Sequence, residues 1–456
     1  MLVALIKNQN NLDISLECHY NREYMKTKLV IFGITGNLSK RKLLPALAQI
    51  ISTGDFDDLS VMGVSRKELE IADLLQSSVG DALAKSRVSE FSMDLTDIND
   101  YKKLKKFISL GDDEQAIMYL SVPPKASGQI VELLGQSGLN TPNIKIMLEK
   151  PFGTDLDSAS RMVNHVAQHY NESQIYRIDH YLAKEMSQNI VAFRGRNALF
   201  DHVWDNKSIE KIEIVAQETL GIEGRVGFYE QTGALRDVLQ GHLIQLLALV
   251  LMDVPQDFDW DDIPGLRMEA LSQVSIANPD KAVRGQYDTY RTEVNKSDST
   301  IETFVSVELE SSNSKWQGVP LILTSGKAMD KRVTEVRVHF KKSHEAQTNC
   351  LIFKIQPSEG VEIKLFTKKP GYDRQFEEKK LSFEYPSDAM LPEAYEQVIV
   401  DAIASQKSLF ASSDEVLRSW EILQPIQKKW SEKTDDLLQY ASGSSIEEVL
   451  LSADHI

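Results

Sequence analysis

The sequence predicts an α/β first part and an α+β second part: a doubly wound parallel sheet, then a domain with a large, mainly antiparallel sheet flanked by helices. Three observations carry this. Between Lys28 and Gly153, short apolar runs alternate with segments of helical period. After Lys211 the runs alternate apolar and polar residues one by one, as half-solvated strands do. A glycine-bearing loop joins the first apolar run to the first helical segment, where an open parallel sheet binds its ligand.

Residues 1–25 lack the charged start, long apolar core and small-residue cleavage site of a signal peptide, so they read as a loose extension, with Met25 an alternative start. KLVIFG (Lys28 to Gly33) is a buried strand that stops at glycine, and LSKRKLLPALAQII after it has helical spacing. LSVMGV, AIMYLSVPP and IKIMLEKPFG are further strands, with DYKKLKKFISL and GQIVELLGQSG as helices between them. These form a first domain over 26–176, leaving 177–456 as the second. There KIEIVAQE, TEVRVHF, CLIFKIQP and GVEIKLFTKKPG are the sheet strands. GALRDVLQGHLIQLLALVLM and PEAYEQVIVDAIASQ are helices, and LIQLLALVLM, interrupted by Gln245, is a buried one.

The chain has 456 residues, enough for two or three domains, and a net charge of −16. That charge opposes nucleic-acid binding, and any anionic ligand must be held by cations gathered locally. Cys18 and Cys350 are the two cysteines, which suits a reducing cytoplasm and suggests neither disulfides nor a metal cluster. No apolar run reaches the 18 or more residues of a membrane span, so no membrane partner is expected.

In GITGNLSKRKLLPAL, Gly33 and Gly36 permit a tight turn and close approach of backbone to a pyrophosphate, while the following helix offers free N–H groups and a positive dipole. Gly33, Thr35, Gly36, Asn37 and Leu38 are therefore the candidate cofactor loop of a Rossmann-like sheet. The pattern is shorter than G-x-G-x-x-G and also fits an ordinary strand-to-helix turn. The second strand ends VMGVSRKE, with Ser65, Arg66 and Lys67 where an NAD-binding sheet carries an acid. A cation there suits the 2′-phosphate of NADP; a plain surface arginine is the other reading.

RIDHYLAKE (Arg177 to Glu185) packs five ionisable residues and a tyrosine into nine positions. Such a run is either a solvated helix face or a site. As a helix, it places His180 and Lys184 four apart on one face, suited to an anion. Asp179 then points elsewhere, suited to orienting a base.

Together, GITGNLSKRKLLPAL, MLEKPFGTDL, RIDHYLAKE and ETLGIEGRVGFYEQTGALRDVLQGH resemble the glucose-6-phosphate dehydrogenase family from about Lys28 to near Ala441. The resemblance implies oxidation of glucose 6-phosphate to 6-phosphogluconolactone with hydride transfer to NADP and no metal, the first step of the oxidative pentose phosphate pathway. It implies His242 as catalytic base and Asp179 as its orienting carboxylate. His180, Tyr181 and Lys184 would hold the sugar phosphate, and Glu218 and Asp237 would hold sugar hydroxyls. Lys150 would lie between sugar and cofactor, Lys327 near the sugar and Arg332 near its phosphate. It further implies a cis Lys150-Pro151 bond and a homodimer, or dimer of dimers, through the second sheet.

The residue types suit that chemistry. Imidazole has a pKa of about 6.5, so a neutral histidine accepts the hydroxyl proton near pH 7, and a carboxylate fixes its tautomer. Taken alone, His242 in its apolar helix also fits a core histidine. Asp237 and His242, five apart on an α-helix, do not stack. The chain departs from the family pattern at Asn37, Ala183 and Gly241, where aspartate, glycine and asparagine are usual. A related oxidoreductase of unphosphorylated sugars, or an idle NADP-sensing paralogue, are the alternatives. Some members of the family hold a second, structural NADP beside the large sheet. Here Arg337, Lys354 and Lys364 match that surface, but Thr324, Val333 and Glu362 do not, so one NADP per chain is expected.

Overall fold

The computed structural model describes residues 25–453 apart from 69, 84–86, 201, 343–347, 387–390 and 434–435. The expected N-terminal extension thus lies outside the described residues, save Met25. Six strands follow in order: β1 (Lys26–Phe32), β2 (Leu59–Ser65), β3 (Val88–Ser92), β4 (Glu114–Leu120), β5 (Ile144–Leu148) and β6 (Ile175–Ile178). They pair in parallel in the order β6-β5-β4-β1-β2-β3. Leu29 and Ile31 face one apolar core and Val30 and Phe32 the other, so the run is apolar throughout because both faces are covered. The order reverses at β1 and β4, and the crevice at their carboxyl ends is where such sheets bind ligands.

The second sheet holds β7 (Ile209–Gln217), β8 (Val274–Ile276), β9 (Val283–Tyr287), β10 (Phe304–Ser311), β11 (Leu321–Gly326), β12 (Val333–Phe340), β13 (Cys350–Gln356), β14 (Gly360–Lys368) and β15 (Phe376–Glu384). Two later strands divide: β16 (Phe410–Ala411) joins the first sheet, antiparallel to β6, and β17 (Leu437–Tyr440) joins the second beside β9. The second sheet runs β15-β14-β13-β12-β7-β11-β10-β9-β17, antiparallel except at β7/β11 and β9/β17. Ile212, Ile214, Val336, Val338, Leu351 and Phe353 turn into one core beneath the helices Glu185–Gly195 and Ile244–Leu251. The apolar stretch after His242 is therefore core, with Ile244 through Leu251 all buried.

Three features differ from the sequence reading. RIDHYLAKE is not a helix. Arg177 and Ile178 end β6, residues 179–184 form consecutive turns (Leu182 N–H to Asp179 C=O, 3.0 Å; Lys184 N–H to Tyr181 C=O, 3.2 Å), and helix starts at Glu185. The buried end of a parallel strand overrides the helical charge pattern. Second, the late helix Ala394–Ile403 buries Ala394, Val398, Ile399, Ala402 and Ile403 against Leu44 and Leu47 of the first core, so the C-terminal part completes the N-terminal layer. Third, the helix carrying His242 winds as a π-helix from Leu235 to Leu243. Its i→i+5 bonding brings residues five apart close to one line, so Asp237 and His242 lie nearer than α-helical geometry implies. The Lys150-Pro151 bond is cis, as expected, and so is Gln356-Pro357.

Candidate active site

The end of β6 and the π-turn meet over the edge of the first sheet. Asp179 is fully buried, and its Oδ1 lies 2.6 Å from Nδ1 of His242. Its backbone is pinned by the turn, and Oδ1 also accepts the Tyr181 N–H at 3.0 Å. Gly233 and Glu302 set the entry to the π-turn. Gly233 has φ +63°, and a Cβ there would lie 2.3 Å from Glu302 Oε1, which accepts the Leu235 N–H at 3.0 Å. Arg236 and Gln240 then dock the turn, donating to the Thr154 carbonyl at 2.9 Å and the Ser419 hydroxyl at 2.7 Å.

Burial pushes the Asp179 carboxyl up, but His242 and Lys150 beside it hold it well below the usual carboxylate range. An ionised carboxylate only accepts, so Nδ1 of His242 carries the proton and Nε2 is left as an acceptor. Burial lowers the His242 pKa; Asp179 raises it and Lys150 lowers it again. The site therefore holds a neutral imidazole of fixed tautomer. Tyr181 stacks on that ring at 4.2 Å between centroids and His180 packs edge-on at 4.6 Å. Burial, then His242, pushes His180 well below its ordinary pKa, so it is a neutral ring and not the cation its spacing suggested.

Lys150, at the end of β5, reaches Asp179 Oδ2 at 2.7 Å and lies 2.9 Å from His242 Nδ1. Lys184 caps the helix Glu185–Gly195 and lies 3.8 Å from Glu359 Oε1. Glu218 and Lys327 pair at 2.5 Å across the ends of β7 and β11. Asp237 is half-buried, and its side chain has no hydrogen bond among the described residues. Burial lowers the pKa of both His242 and Lys150, and the Asp179 and Asp237 charges offset part of that. Arg332 is exposed just before β12, with no ion pair among the described residues.

At the other side of the crevice, Gly33 has φ +84°, and a Cβ on it would meet the Ser121 carbonyl at 2.3 Å. Ser39 donates to the Gly33 carbonyl at 3.0 Å, closing the loop over its helix. Thr35 and Asn37 are exposed at the mouth, while Gly36 and Leu38 are half-buried. Arg66 is exposed just past β2, without an ion pair among the described residues, whereas the Ser65 hydroxyl is spent on the Lys67 carbonyl. A backbone-only turn, a helix start and an uncommitted cation fit a phosphorylated dinucleotide.

Sequence reasoning missed four neighbours. Glu149 accepts the Tyr119 hydroxyl at 2.5 Å, and burial raises its pKa to about 7. Gln356 donates to the Tyr181 hydroxyl at 3.0 Å, Glu359 faces Lys184, and Tyr395 stacks 6.4 Å from His180. Glu149 had a signal, its place in E-K-P; the others come from distant segments with none.

A dinucleotide cradle on a doubly wound sheet, beside a buried histidine–aspartate pair on an α+β domain, defines a nicotinamide-dependent oxidoreductase. Residues 30–189 match the family description "Glucose-6-phosphate dehydrogenase, NAD binding domain", and residues 191–450 match "Glucose-6-phosphate dehydrogenase, C-terminal domain". The chain belongs to the glucose-6-phosphate dehydrogenase family. It is 36% identical over 441 residues to a glucose-6-phosphate 1-dehydrogenase of Borreliella burgdorferi, covering 89% of this chain and 92% of that one. It is also similar to a solved glucose-6-phosphate dehydrogenase in complex with glucose 6-phosphate (TM-score 0.87, 29% identity, 94% and 98% covered). A Mycobacterium avium glucose-6-phosphate 1-dehydrogenase structure aligns with a TM-score of 0.82 at 31% identity, covering 92% and 95%.

Proposed function

We propose that this protein oxidises glucose 6-phosphate to 6-phosphogluconolactone, and that the buried His242–Asp179 pair, 2.6 Å apart, carries the proton transfer. His242 Nε2 takes the proton of the anomeric hydroxyl as the hydride leaves the anomeric carbon. Asp179 stabilises the imidazolium that forms. NADP, when bound, supplies the hydride acceptor. Gly33, Thr35, Gly36, Asn37 and Leu38 hold its phosphates, and Arg66 its 2′-phosphate.

Lys184, with neutral His180 and Tyr181 as hydrogen-bond donors, receives the sugar phosphate; the anion displaces Glu359 from Lys184. Arg332, exposed at the start of β12, swings in as a second cation. Glu218, Asp237, Lys327 and Lys150 position the ring hydroxyls. We assign residues 26–176 with the returning segment 394–411 to the nucleotide-binding part and the remainder to substrate binding and pairing of two chains, in the cytoplasm.

The test is the growth of reduced-cofactor absorbance in purified protein. Turnover is expected with glucose 6-phosphate far above that with glucose, and with NADP in preference to NAD. Equal rates on glucose overturn the phosphate site, and absent turnover favours a sensing paralogue.

A further inference from the structure

The glycine before His242 has a consequence for the base. Lys150 Nζ sits 2.7 Å from Asp179 Oδ2 and 2.9 Å from His242 Nδ1. Nδ1 already donates to Asp179, so the ammonium abuts another donor and only the shared carboxylate reconciles the two. A cation at that distance opposes formation of imidazolium. What admits it is Gly241. A Cβ there would lie 2.3 Å from Lys150 Nζ, 2.9 Å from Cε and 3.2 Å from Cδ, all on the flexible end of one side chain. These are the three nearest atoms outside the chain neighbours and the helix's own backbone. An alanine would displace the ammonium and leave the helix backbone in place.

We propose that Gly241 is a positioning residue: it lets Lys150 mask the Asp179–His242 pair in the free enzyme, and binding of the sugar phosphate draws Lys150 away and unmasks the base. This rests on His242 being the base. The groups facing His242 are Asp179, Lys150, Asp237, and the rings of His180 and Tyr181. Lys150 has somewhere to go, because the Asp237 and Glu149 carboxylates also act on it. Sugar hydroxyls arriving at its ammonium replace the Asp179 contact. With the cation gone, Asp179 acts on His242 unopposed, and its proton affinity rises. The free enzyme thus holds a weak base, and the loaded enzyme a stronger one.

The pH profiles of wild type and Gly241→Ala test this, since kcat/KM reports the free enzyme and kcat the loaded one. In Gly241→Ala the acid limb of kcat/KM is expected about 1 unit higher, while the acid limb of kcat stays in place. The substrate's own phosphate titrates near pH 6 in both proteins, so the difference between them belongs to the enzyme. Direct NMR titration of the His242 imidazole in the ligand-free protein is expected to rise equally in Gly241→Ala and in Lys150→Met, which leaves the helix untouched. Unmoved limbs with an unmoved imidazole, or limbs that move together, overturn the mask. A separate outcome bears on the base: an acid limb that survives in His242→Asn sinks the assignment of His242 itself.

Discussion

The Nδ1–H to Asp179 bond fixes the tautomer of His242 and leaves Nε2 to accept. Replacing His242 by Asn is expected to lower kcat by about 10²–10⁴-fold, with glucose 6-phosphate affinity by calorimetry nearly unchanged. At the cofactor end, Arg66→Ala should weaken NADP about tenfold or more and NAD little, because it removes a charge-assisted contact to the 2′-phosphate alone. Equal losses in fluorescence titration would make Arg66 structural. Glu149 gives a pH prediction. Its folded pKa, about 7, lies above the ordinary carboxyl value of 4.5. The native state therefore binds the extra proton between those values, and stability falls as pH rises through that window. The penalty at pH 7 and above is on the order of 3 kcal/mol. Glu149→Gln should abolish that fall, seen as a flatter Tm between pH 4.5 and 7.

At the scale of elements, two contacts place the site. Gly33 adopts a left-handed φ and lets β1 pass against the Ser121 carbonyl. Gly33→Ala is expected to cost about 1–3 kcal/mol and to weaken the cofactor, by urea melts and titration. Arg267, fully buried, donates to Glu415 at 2.7 Å and to the Ser408 and Phe410 carbonyls, tying the helix Ile263–Ser272 to β16 and the helix Ser413–Glu432. Removing it strands Glu415, so Arg267→Ala should cost about 3–5 kcal/mol with kcat unchanged in the surviving folded fraction. The glycine turn was legible because a special backbone conformation selects its residue type. The Arg267 node was not, since its partners lie 141 to 148 residues away with no spacing to mark them.

Across the whole molecule, the second sheet carries a run of charged pairs. Lys211, Glu213 and His339 form one cluster, Arg337 pairs with Glu335, and Lys354 and Lys380 share Glu362. Two cations expected near a second nucleotide, Arg337 and Lys354, are thus neutralised by neighbouring carboxylates. Equilibrium titration should give one NADP per chain, and two sites would mean that the nucleotide displaces these pairs. Exposed Phe376, Leu381 and Phe383 give edge strand β15 an apolar margin, which the proposed pairing of two chains would cover. Sedimentation is expected to show a dimer at micromolar concentration, and a monomer would remove this surface from the assembly.

The sequence by itself determined the layered plan and pointed to the candidate cofactor loop, the candidate dyad and the cation at the end of β2. Each is carried by local period, by a glycine that must take a positive φ, or by motifs in a fixed order. Only the tertiary structure decided that RIDHYLAKE turns instead of coiling, that Asp237 and His242 share a π-turn, that Glu359 faces Lys184 and that Lys150 lies against Gly241. Those outcomes depend on contacts between residues 63, 92 or 173 positions apart, as in Asp179–His242, Lys150–His242 and Met186–Glu359. Packing of whole layers sets such contacts, and no local periodicity encodes them.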